Sequence, residues 1–199
     1  DEIVKIPVQR KITLPLDSFW YSQTSAEILG EGPKRRIRVP EKLDPTKDGY
    51  CLTRSEEQDQ AVKGSTGSDY SIVHCKWQLT YKIDEPERFF ENIYVDLGSI
   101  EAGQNYADVI SKQITPLLQY MVADAVVAAI VNYTIDDVMF EQVATVTQHV
   151  KKLLQEKLDT IESGVKVVSV QLTDKTWPRQ VDEAFQASIK ASQESQKVI

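Results

Sequence analysis

The chain has 199 residues, and 23 Lys+Arg against 30 Asp+Glu give it a formal net charge of −7. With 41% hydrophobic and 27% charged residues it has an ordinary globular balance, which excludes collagenous, low-complexity and fully disordered classes. The acidic balance lacks the basic footprint of a nucleic-acid binder, and two cysteines are too few for a disulfide scaffold or a tetrahedral zinc site.

The first 95 residues read as β. Ile3, Val4, Ile6, Val8, Ile12 and Leu14 lie among polar residues, bounded by Pro7 and Pro15, which predicts an edge strand. Tyr50 to Arg54 is a short strand, followed by a flexible hairpin loop over 55–70 that is rich in Gly and Ser. From Ile72 to Ile83 the pattern is strict. Val73, Cys75, Trp77, Leu79, Tyr81 and Ile83 form one apolar face, while His74, Lys76, Gln78, Thr80 and Lys82 face solvent or a polar neighbour.

After Glu85 the period changes from two to 3.6. Thr115-Pro116 reads as a helix start, with Leu117, Leu118, Met121, Val122, Ala125 and Ala129 as its apolar stripe. Thr134-Ile135-Asp136-Asp137 caps the next helix, whose stripe is Met139, Val143, Val146, Val150, Leu153, Leu154, Leu158 and Ile161. Gly164 closes it in the left-handed conformation, and Val165, Val167, Val168, Val170 and Leu172 make a strand. Pro178 begins a final helix containing Val181, Ala184, Phe185, Ile189 and Val198. It reaches the last residue without a stop signal, and the chain begins at Asp1 with no leader pattern, so both ends are expected to continue in a parent protein. The longest uncharged apolar run, Ala125 to Tyr133, falls well short of the roughly 18 residues that span a bilayer.

Little here can do catalysis. The two histidines, His74 and His149, stand in no HExxH, H-x-E or GxSxG context, and His74 and Cys75 point to opposite faces of their strand. Asp136, Asp137 and Glu141 sit where the helix dipole alone explains carboxylates. No catalytic, cofactor-binding or metal site is therefore assigned. If residue 54 faces residue 71, the cysteines Cys51 and Cys75 fall one position off register; a disulfide stays open beside the default of two buried thiols. The one basic cluster, Lys34, Arg35, Arg36 and Arg38, reads as a solvated loop or a lipid-facing patch. Trp177, Val181 and Phe185 follow one another at helical spacing and are expected to share a packing or interface face.

Some segments are specific in order and spacing: Asn132-Tyr133-Thr134-Ile135-Asp136-Asp137, Ser163-Gly164-Val165-Lys166-Val167-Val168, and Trp177-Pro178-Arg179-Gln180-Val181-Asp182-Glu183-Ala184-Phe185. With the strand Ile72 to Ile83 running on to Asp84-Glu85-Pro86, they resemble the SPFH or band 7 family (stomatin, prohibitin, flotillin, HflK) across most of residues 50 to 190. The last helix start is most similar to HflK-type sequences, with Trp177 standing where that subfamily has the first of two prolines. The resemblance implies an α+β fold: a β-rich first subdomain over 1–95, an α/β subdomain over 96–175, and the start of a long coiled-coil helix over 176–199. It further implies a non-enzymatic scaffold without cofactors, anchored in the bacterial inner membrane with this part in the periplasm. Such a scaffold would assemble with itself or an HflC-like paralogue into a ring that modulates the membrane protease FtsH. A divergent stomatin- or flotillin-like scaffold without FtsH is the alternative, and a thiol hydrolase using Cys51 or Cys75 is the reading from another class.

Overall fold

The strict alternation of β-branched and aromatic residues after Tyr70 produces the longest strand, β5 (Tyr70–Ile83), in a computed structural model that describes residues 6, 8, 10–21, 28–29, 36–37, 48–54, 70–93, 106–178, 181 and 187. Its inward residues from Val73 to Ile83 are all buried, with Trp77 and Tyr81 each 1% exposed. Two strands flank β5 in antiparallel register: β1 (Ile12–Phe19), with Ile12 opposite Tyr81, and β6 (Val165–Thr176), with Val165 opposite Ile83. A shorter strand, β4 (Cys51–Arg54), pairs with the first residues of β5. A separate pair joins β2 (Ile28–Leu29) to β3 (Arg36–Ile37). The edge strand predicted at the N-terminus is β1, although it begins at Ile12 and carries Pro15 within it, opposite Gln78. A residue without an N–H is tolerated there because the strand lies at the edge.

The helices α1 (Pro86–Asn92), α2 (Tyr106–Ile130) and α3 (Val143–Thr160) follow among the described residues. The start expected at Thr115-Pro116 is overturned, since α2 begins at least nine residues earlier and holds Pro116 in its interior. Proline removes one backbone bond, at a cost of about 3 kcal/mol. The Thr115 hydroxyl donates to Ser111 O at 2.7 Å, and burial of Ile110, Ile114, Leu118, Val122 and Ala125 along one stripe outweighs the loss. By length and composition alone, Asp108–Ile130 could cross a membrane. Its inner stripe is instead spent on the core, where α2 lies against β1 and β4, and α3 against α2 and β6.

The expected single helix from Thr134 to Ile161 is also corrected. A π-helical turn (Asp137–Glu141) precedes α3, closed by Gln142 N–H donating to Asp137 O at 2.9 Å. The extra residue per turn lets Asp137, Val138 and Met139 all face inward before Val146, Val150, Leu154 and Leu158 take up the stripe of α3. Thr134 is the cap as expected: Thr134 N–H donates to Asp137 Oδ2 at 3.0 Å, and Asp137 N–H donates to Thr134 Oγ1 at 3.2 Å. Ile161, placed in the stripe by its spacing, is 40% exposed.

Gly164 takes φ +66°, the left-handed region expected for it. A Cβ there would collide with Glu85 O and Phe89 N, and its own carbonyl accepts from Asp84 and Glu85 N–H at 2.9 and 3.1 Å. One glycine thus lets the α3–β6 turn close against the start of α1.

Candidate functional site

The basic cluster is not simply a loop, because Arg36 and Ile37 form β3 with Arg36 opposite Leu29. Lys34, Arg35 and Arg38, and the side chain of Arg36, lie outside the described residues, as does Phe185. Trp177 is half-buried against the core, its ring 5.9 Å from that of Phe140 at 48°. Val181, 38% exposed, donates its N–H to Pro178 O at 3.0 Å in a turn at the start of the expected last helix, in which the described residue Ala187 is helical.

Phe140, 58% exposed beside Trp177, had no assignment from periodicity. The π-helical turn rotates it outward next to buried Met139, a consequence that a 3.6-residue period cannot reveal. A second apolar patch lies on the outer side of α2, where Leu117, Tyr120 and Val127 are exposed. Spacing put both Leu117 and Leu118 in the core stripe, but only Leu118 is buried.

A groove of about 460 Å³ opens where α1, α3 and β6 meet, lined by Asp84, Glu85, Arg88, Lys151, Gln155 and Lys166 among others. Gln155 Nε2 donates to Val165 O at 3.2 Å and Val167 N–H donates to Gln155 Oε1 at 2.8 Å. These are the two bonds that a residue of a further strand would make to this edge. Lys151 Nζ donates to Val168 O at 2.8 Å, at a bulge where Val168 has no partner in the β5–β6 register. The edge of β6 is thereby closed by helix side chains.

Charges in the groove neutralise one another. Asp84 meets Lys82 Nζ at 2.6 Å and Lys166 Nζ at 3.7 Å, while Arg88 Nε meets Glu85 at 3.1 Å. The Lys82 ammonium, then Lys166, holds the Asp84 carboxyl below the usual carboxylate range. Among the described residues no group of three His, Cys, Asp or Glu side chains could hold a metal ion.

Both thiols are sheltered inside the folded chain. Cys51 and Cys75 are 2% and 0% exposed, and burial, with Cys75 alongside, pushes the Cys51 thiol up. The register differs by one residue from the expected one, with Cys51 opposite Val73 and Arg54 opposite Tyr70, which puts both cysteines on the same face. The histidines are engaged elsewhere: His74 Nδ1 lies 2.6 Å from Gly49 O, and His149 Nδ1 lies 3.2 Å from the Tyr133 hydroxyl.

What the described residues present, then, is packing surface: exposed apolar side chains at Phe140 and along the outer side of α2, a groove with paired charges, and sheltered thiols. Residues 27–199 match the family model for the SPFH domain / Band 7 family. The chain belongs to that family. No curated protein matches it. The mixed helix and antiparallel sheet fit the α+β fold of SPFH domains, a family of membrane-associated scaffolds whose members are generally non-enzymatic.

Proposed function

We propose that this SPFH chain is the globular part of an HflK-like scaffold that assembles with itself or an HflC-like paralogue at the bacterial inner membrane, on its periplasmic side, and modulates FtsH. The observation that carries the reading is the family match over 27–199; the resemblance of the entry into the last helix to HflK-type sequences is what favours that subfamily. Exposed Phe140 and Val181, with Phe140 beside the half-buried Trp177, support a role in assembly, since apolar side chains at a surface are what a partner covers. Lys34, Arg35, Arg36 and Arg38 are the residues we assign to contact with anionic lipid. On this reading the protein has no catalytic residue or cofactor, and the buried thiols speak against the thiol-hydrolase alternative.

Removing the protein from its host tests the protease link. The degradation rate of a membrane substrate of FtsH should change on removal and be restored by the wild-type gene. An unchanged rate, with the protein present in the membrane of the parent strain, would favour the stomatin- or flotillin-like alternative.

A further inference from the structure

Cys51 and Cys75 are the chain's only cysteines, and they lie 24 residues apart on the paired strands β4 and β5. Cys75 sits two residues along from Val73, the partner of Cys51, so both side chains leave the ladder on one face. Their Sγ atoms are 3.7 Å apart. A disulfide needs about 2.05 Å, an approach of roughly 1.7 Å between side chains that already face each other. No other thiol in the sequence competes for either sulfur.

We propose that Cys51 and Cys75 are a disulfide-forming site, oxidised by the disulfide of a small molecule such as oxidised glutathione or of a thiol-exchanging protein. In the first step one cysteine gives up its proton and its thiolate attacks the oxidant's S–S bond, releasing one oxidant thiolate and leaving a mixed disulfide. The second cysteine, deprotonated in turn, displaces the other oxidant thiolate and closes the internal bond. Two cysteine thiols and one oxidant disulfide become one cysteine disulfide and two oxidant thiols, the protons passing to the released thiolates. Burial requires β4 to open first, and β4 is only four residues long, with Leu52 43% exposed. Arg54 N–H, at the end of the same strand, donates to Tyr133 O at 2.8 Å. The bond therefore staples to the central strand a segment that also touches the turn between α2 and α3.

Trp77 supplies an internal reporter, because its indole N–H donates to Cys75 Sγ at 3.1 Å. The test oxidises the whole chain with glutathione disulfide, then denatures it in the presence of N-ethylmaleimide and weighs it. The expected product is monomeric, lighter than the reduced chain by two hydrogens, and carries neither maleimide nor glutathione. Oxidation should also lower Trp emission and raise the thermal midpoint, and dithiothreitol should reverse both. Cys51→Ser, with Cys51→Ala as a second variant, should lose the mass change and the emission change together. Two maleimides per chain after oxidation, a retained glutathione adduct, or dimers linked between chains would each overturn the proposal, and all three can be read on the wild-type chain alone.

Discussion

Gly164 and Asp137 show how much a single residue can decide. Gly164→Ala must hold a left-handed backbone and push its methyl into the start of α1, so we expect a loss of at least about 2 kcal/mol in urea unfolding. A loss under about 0.5 kcal/mol would mean that the turn relaxes freely. For Asp137, burial raises the carboxyl, yet the Thr134 N–H and hydroxyl, Gln142 and Arg54 outweigh it and hold the group below its ordinary value. A carboxyl lowered in the folded state binds fewer protons there, so it stabilises the fold above the unfolded value, about 3.9. That contribution is lost as pH falls through the lower, folded value. The unfolding midpoint should stay level from neutral to about pH 5 and drop below about pH 4, and Asp137→Asn should shallow the drop. Superimposable pH profiles for the two proteins would contradict the assignment. Gly164 and the Thr134 cap were legible because each depends on neighbours in sequence. His74 was not: it stands on the polar side of an alternating strand, but Gly49 and Tyr21 return to cover it, leaving it 0% exposed.

At the scale of elements, alternation in β5 and the Val-rich pattern of β6 were readable because a sheet buried on one face imposes period two. What a period cannot report is where a proline is tolerated or where a turn holds an extra residue. Pro116 therefore hid the first turns of α2, and the π-helical turn hid the outward position of Phe140. The phase of α2 gives a sharp comparison. Leu118→Ala, at a 0% exposed position, should cost about 2–5 kcal/mol, whereas Leu117→Ala, at a 38% exposed one, should stay within about 0.5 kcal/mol. Equal effects would put the stripe where spacing alone put it. Gln155 makes a different claim, since its amide stands in for a missing strand at Val165 and Val167. Gln155→Ala should cost about 1–2 kcal/mol and speed hydrogen exchange at the Val167 amide, while Leu79, deep in the sheet, keeps its protection. Unchanged exchange at Val167 would show that the edge is protected by something other than this side chain.

For the whole molecule, the α+β class and the family were legible because several segments coincided in order and spacing, none of them sufficient alone. The surface was less so, because exposure of Phe140, Tyr120 and Val127 depends on how helices rotate against the sheet. The basic cluster belongs to this scale too. If Lys34, Arg35, Arg36 and Arg38 meet lipid, each contributes about 1 kcal/mol at an anionic surface, and vesicles with anionic headgroups should capture the chain at low salt while neutral ones do not. Replacing the four with Gln should abolish the difference; capture that is equal on both vesicle types would remove the lipid role. The central claim, that this SPFH protein works as an assembled membrane scaffold, is tested most directly by drawing the full-length protein from its own membranes in mild detergent and imaging it by electron microscopy. The account predicts a large closed ring with FtsH in the same fraction, and a monomer or dimer free of FtsH would contradict it.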